Sequence, residues 1–276
     1  MRRTLLSVFF WLGAALTVHA GPQVSEDVNA LADALGLPQI IEVMREEGIT
    51  NGRELADDMF PGRGGGSWEI MVEKIYDPVW MTDIVWTGLA AELEGTDTAP
   101  LIAFFTSASG RRIVALEVSA RQALLDDAVE AASKDRLAEL TADGDPLLDL
   151  VAEYVEVNDL LEYNVVGAMN SNYAFYTGLQ DGGAFDQTLT EDQILTDVWS
   201  QEEVIRADTE NWLYAFLAMA YRPLSEAELQ AYIAISETPE GQALNRALFV
   251  AFDKLFVDVS HALGRSAATF VVGEDL

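Results

Sequence analysis

Apolar residues recur along this chain at intervals of three and four, and strict two-residue alternation is nearly absent. That period is the signature of helices that bury one face. Start and stop signals divide the pattern. Ser25 precedes EDVNALADAL and Gly36 stops it; Pro38 opens PQIIEVMREEG, and Asp77-Pro78 opens VWMTDIVWTGLAAELEG. Thr190 with Gln193, and Ser225 with Glu228, have the spacing of capping boxes. Asp145-Pro146 starts an amphipathic run with Leu148, Val151, Val155, Leu160, Leu161 and Val165 on one face, and Pro223 ends the helix carrying WLYAFLAMAY. The pattern predicts an all-α fold of about ten helices, built as antiparallel helical hairpins packed into a bundle. FPGRGGGSW (60–68) reads as the loosest segment and QDGGAFDQT (180–188) as a second loop.

Two stretches break otherwise continuous helical patterns in the same way. In AISETPEGQAL, Thr238 is placed to cap a helix whose first three positions are Pro239, Glu240 and Gly241. The Thr hydroxyl can accept from the Gly241 N–H, Pro suits a position whose N–H has no partner, and Glu complements the helix dipole. In AFFTSASGRRI, Ser107 and Gly110 repeat the arrangement. Both are tight corners between two helices. Gly110 and Gly241 lie 131 residues apart, and that offset also pairs Leu101 with Tyr232, Ile113 with Leu244, Val118 with Phe249 and Leu124 with Leu255. The apolar positions agree better than the polar ones, as expected of a diverged internal duplication giving two related halves. The chain divides accordingly into 1–20, an N-terminal helical segment with the Gly-rich loop (21–66), a first hairpin half (67–143) and a second (144–276).

Residues 1–20 have the layout of a cleavable signal peptide: a basic start, the apolar run LLSVFFWLGAALTV, and VHA before a cut after Ala20. The run is too short to span a bilayer comfortably, so no integral anchor is expected after cleavage. This places the protein in a bacterial periplasm. The chain has no Cys, so no disulfide staples it there. Its 16 basic and 46 acidic residues give a net charge of −30, which should repel nucleic acid and anionic lipid, so no nucleic-acid partner is expected.

The aromatic pair Phe104 and Phe105, then Ser107 and Gly110, followed by the amphipathic IVALEVSARQALLDDAVEAA, resemble a short module of exported bacterial proteins, domain-of-unknown-function family 2059 in its alphaproteobacterial form. LSEAELQAYIAISETPEGQALNRALFVAFDKLFVDVSHALGR is similar to the longer members, although Ile235 and Ser236 replace the aromatic pair at the second corner. The resemblance implies a helical, exported protein and brings no catalytic residues with it.

Few residues offer chemistry. His261 is the only histidine outside residues 1–20; with no Cys, zinc sites built from His and Cys and thiol nucleophiles are excluded. Its place in DVSHALGR, just before Gly264, suggests a helix C-terminus. No GxSxG occurs, GRGGG lacks the ending of a phosphate loop, and DGDPLLDL has Leu where a calcium loop needs ligands and Gly. No metal or cofactor is expected. Arg111, Arg112 and Arg121 form the densest basic cluster; the ordinary reading pairs them with local acids such as Glu117, four before Arg121, and an anion site is the alternative. In EYNVVGAMNSNYAFYTG, the residues Tyr163, Gly167, Asn170 and Ala174 share a helix face, with Tyr173 beside them. That face is either a hydrogen-bonded helix contact around Gly167 or a ligand pocket using Tyr163, Asn170 and Tyr173. The expected function is a non-catalytic interaction or scaffolding module of the bacterial envelope, its partner an envelope protein. A periplasmic small-molecule binder and a carboxylate-dependent hydrolase are the alternatives.

Overall fold

The computed structural model describes residues 24–185 and 189–273; the expected signal peptide, 1–20, lies outside them. Among the described residues the chain forms thirteen helices and no strand: α1 (Glu26–Ala34), α2 (Leu37–Met59), α3 (Gly65–Ile75), α4 (Pro78–Glu92), α5 (Ala99–Phe105), α6 (Ala108–Ala123), α7 (Asp127–Asp143), α8 (Leu147–Val157), α9 (Leu160–Asp181), α10 (Glu191–Trp199), α11 (Glu202–Tyr221), α12 (Glu226–Ser236) and α13 (Pro239–Val271). The fold is all-α. The extra helices come from short turns that periodicity alone passes over.

The caps act where the sequence places them. Ser25, Asp77, Ser107 and Thr238 each accept a backbone N–H of the first turn, and both capping boxes, Thr190/Gln193 and Ser225/Glu228, are complete. Ser107 Oγ accepts from Gly110 N at 3.0 Å and Thr238 Oγ1 from Gly241 N at 3.0 Å. A Cβ at Gly110 would overlap Phe104 O, and one at Gly241 would overlap Ile235 O, so the corners are too tight for any side chain there. The two corners share this geometry, but α5–α6 packs chiefly on α1, α2 and α11, whereas α12–α13 packs on α8, α9 and α4. A shared corner over different neighbours does not by itself establish a duplication.

α13, at 33 residues, is the longest element, and its most extensive neighbour is α9. Tyr163 stacks on Phe249 with ring centroids 4.4 Å apart, Asn170 Nδ2 donates to Asp253 Oδ1 at 3.0 Å, and Gly178 lies against His261 and Arg265. Residue numbers climb together, so the two helices run parallel, a pairing between elements distant in sequence that hairpin reasoning does not supply. Gly264 does not end the helix. A Cβ there would overlap Phe175 O, and a Cβ at Gly178 would overlap His261 O. The expected close contact at Gly167 is absent: its added Cβ would meet only Asp253 Oδ1, at 3.7 Å.

α8 and α9, expected as one run, are separated at Asn158 and Asp159, the latter at φ 51°. The carbonyls freed by the break are met from α13: Gln242 Nε2 donates to Val157 O at 2.9 Å and Asn245 Nδ2 to Asn158 O at 2.7 Å. Polar side chains thus supply partners the interrupted helix lacks.

The main core runs from Val28 in α1 to Val259 in α13. A second cluster overturns the expectation for 60–68. Phe60 and Trp68 are both 2% exposed and pack with Phe270 near the end of α13. Trp68 Nε1 donates to Gly52 O at 2.7 Å, and Arg63 Nη1 donates to Phe270 O and Val271 O, both at 3.3 Å. Glycine allows the positive φ angles of this turn, at Gly62, Gly64 and Gly65, while the flanking aromatics hold it.

Gly178→Ala or Gly264→Ala should destabilise the protein by about 2–3 kcal/mol, since each forces two backbones apart. Gly167→Ala, with room for its methyl, should be neutral or stabilising by about 0.5–1 kcal/mol through helix propensity. Urea unfolding of the three variants checks this; equal losses at all three positions would contradict the packing described.

Candidate functional site

The α5–α6 corner delivers Phe104 and Phe105 to an aromatic cluster. Phe104 stacks on Tyr232 of α12 at 5.9 Å between centroids, and Phe105 meets the same ring edge-on at 6.0 Å. Tyr154 of α8 lies 4.8 Å from Tyr232 and 5.6 Å from Tyr221 of α11. Each of these tyrosines has its ring in the apolar core and therefore needs a partner for its hydroxyl. Glu117 of α6 supplies one. The Tyr221 hydroxyl donates to Glu117 Oε1 at 2.6 Å, and the ring of Tyr232 lies beside Tyr221, 6.2 Å between centroids. Glu117 as a residue is half-buried, but its carboxyl group points inward.

Burial pushes the Glu117 carboxyl up from 4.5 to about 7, because a charge there has lost its water; the neighbouring tyrosine hydroxyls favour the ionised form and recover only part of that cost. The tyrosines move the same way. Tyr154, Tyr221 and Tyr232 are all raised, first by burial and then by the neighbouring Glu117 charge. Arg121, one turn along α6, does not neutralise the carboxylate. It pairs with Glu47 of α2, and its guanidinium sits 5.0 Å above the Trp212 ring. This corrects the expected Glu117–Arg121 pair: the spacing permits it, but the two side chains turn to opposite neighbours. The rest of the basic cluster is also engaged within the fold. Arg112 makes 2.8 and 2.9 Å bonds to the Glu228 carboxylate and a 2.6 Å bond to Pro223 O, and Arg111 caps Thr106 O.

Chemically, the Glu117 cluster is one carboxyl ringed by phenols. It can hold or release a proton. Sequence reasoning missed it, although a signal was present. Glu117 falls on the stripe of Ile113, Ala120 and Leu124, all buried, where a charged residue requires a partner.

The Tyr/Asn face of α9 is arranged differently from the expected pocket. Tyr163 is occupied by Phe249, and Asn170 by Asp253. Asn170 and Tyr173 do come together, with Thr177, Val257, Asp258 and His261, along a shallow groove that is open to solvent rather than enclosed. His261 lies mid-helix, not at a C-terminus, and its Nε2 is 2.9 Å from Asp181 Oδ2. Among the described residues, no group of three His, Cys, Asp or Glu side chains is disposed to hold a metal ion, and no helix is long and apolar enough to cross a membrane.

No family model, no curated protein and no solved structure matches the chain.

The Glu117 cluster makes stability depend on pH. Folding raises this pKa from 4.5 to about 7. Between those values the native state retains a proton that the unfolded chain has released, so the contribution is fully present below the lower value and is lost as pH rises through the upper one. The effect is at most about 3 kcal/mol. Glu117→Gln carries no such proton. Its stability relative to the parent should rise between pH 4.5 and 7 and level off above, as read by urea unfolding at several pH values. A difference independent of pH would contradict the assignment.

Proposed function

We propose that the protein is an exported helical interaction module of the bacterial envelope, acting through its surface rather than by catalysis. The observation that carries this reading is where the functional groups go. The buried carboxyl of Glu117 is committed to Tyr221 inside the core, while large apolar side chains stand on the surface: Trp199 is 64% exposed, Val204 64%, Val166 52% and Val250 47%. Exposed aromatic and aliphatic side chains on a rigid scaffold are what a protein–protein contact uses. The resemblance of the Phe104–Gly110 corner to exported proteins of family 2059 supports the same reading, as does the signal-peptide pattern of residues 1–20. The matching corners at Ser107 and Thr238 support descent of the two hairpins from one ancestral unit.

A second reading has one specific observation in its favour. The groove along α9 and α13 carries Asn170, Tyr173, Thr177, Asp258 and His261 beside apolar Val257, a mixture suited to a small polar ligand. Its openness favours weak rather than tight binding.

Native mass spectrometry of the mature chain purified from its own compartment discriminates the two. The expected result is a polypeptide retained in fixed ratio and identified by sequencing. A retained small molecule would move the assignment to the groove, and a bare chain at micromolar concentration would contradict a stable complex.

A further inference from the structure

Resting on the interaction-module reading, we infer that the corner between α10 and α11 is its contact surface, and that its partner is a polypeptide segment bearing Lys or Arg beside apolar residues. α10 lies on α9 through Ile194 and Val198, 2% and 3% exposed. Trp199, one position on, is turned about 100° from that inner stripe, which leaves a tryptophan at the helix end 64% in solvent. Across the Ser200–Gln201 turn, Val204 is equally exposed, while its neighbour Ile205 packs inward. Among the described residues the other tryptophans are better covered: Trp68 is 2% exposed, Trp80 37%, and Trp86 and Trp212 are partly buried. The corner is held in place. Ser200 Oγ donates to Asp197 O at 2.7 Å, Gln201 Nε2 to the same carbonyl at 3.2 Å, and Asn172 of α9 reaches Gln201 Oε1 at 3.4 Å. Two large apolar side chains are therefore presented on a braced turn, which lowers the ordering cost of a contact.

Charge selects the occupant. Residues 191–210 hold seven acidic side chains and one basic, Arg206. Arg206 is taken by Glu202 and by Glu162 of α9. Asp192, Asp197, Glu203 and Asp208 have no ion-pair partner among the described residues. A second copy of this chain, at −30, is repelled from such a surface. A Lys or Arg segment is attracted to it, can lie over the Trp199 ring as a cation–π pair, and can place an apolar residue against Val204.

The test uses the isotopically labelled mature chain and, as probe, a short amphipathic peptide of Lys and Leu without tryptophan, followed through the tryptophan indole N–H resonances at low salt. The Trp199 signal is assigned by its loss in Trp199→Ala. The expected result is a saturable shift of that signal with smaller changes at the other indoles. Affinity should fall roughly tenfold in Trp199→Ala and in Asp197→Asn/Glu203→Gln, and stay within about twofold in the control Asp57→Asn/Asp58→Asn, an exposed acidic pair elsewhere. An unmoved Trp199 signal, or an equal loss in the control, overturns the corner: the peptide then senses only overall charge, and the interaction-module reading stands. Calcium ions shifting the same signal and excluding the peptide would also overturn it. No binding at all overturns the cationic partner, and the module reading falls only if native mass spectrometry also finds no polypeptide.

Discussion

Two helix backbones meet directly where Gly178 of α9 faces the His261–Arg265 turn of α13 and Gly264 faces Phe175 of α9. No side chain fits between them, so this crossing sets the axial register of the two longest-paired helices. Other contacts inherit that register. Upstream, Tyr163 lands on Phe249 and Asn245 reaches the open end of α8. Downstream, Phe270 lands against Phe60 and Trp68, and Arg63 caps carbonyls near the end of α13. One 33-residue helix thereby joins the first quarter of the chain to its middle.

The other constraint is polar. Three tyrosines from α8, α11 and α12 converge inside the core, and the Glu117 carboxyl accepts the hydroxyl of one of them, Tyr221. An apolar core could close over the same space in several ways. A carboxyl that must find phenols admits fewer, because any slip leaves a buried charge or hydroxyl unpaired. The Phe104–Phe105 corner shapes this cluster from one side, which gives the aromatic pair a packing role: it covers Tyr232 and helps exclude water from the carboxyl.

Much of the fold was legible because it rests on short-range rules. The caps at Ser25, Ser107, Thr190, Ser225 and Thr238 depend on one oxygen and one N–H three positions on, and those can be read directly. Glycines were harder, since the same residue serves as stop, turn or contact. Gly36 ends α1, with φ 67°, as its position suggested; Gly264 looked like a stop and is a crossing; Gly167 looked like a crossing and is not. Only the partner helix distinguishes these, and the partner is 80 or more residues away. Side-chain partners were hidden for the same reason. Asn170 and Tyr173 were found because they interrupt a local pattern, whereas Glu117 was assigned to its sequence neighbour Arg121 when its partner Tyr221 lies 104 positions on. Trp199 was not singled out at all, because exposure depends on which stripe of α10 meets α9.

If the α9–α13 crossing governs the assembly, those helices should not open independently. Native-state hydrogen exchange measures this directly. Amides of α9 around Gly178 and of α13 around Gly264 should exchange only with the free energy of global unfolding, and with its full denaturant dependence. Exchange from the C-terminal half of α13 at a markedly lower free energy, with α9 still protected, would show that the helix docks late and loosely, and would contradict the account.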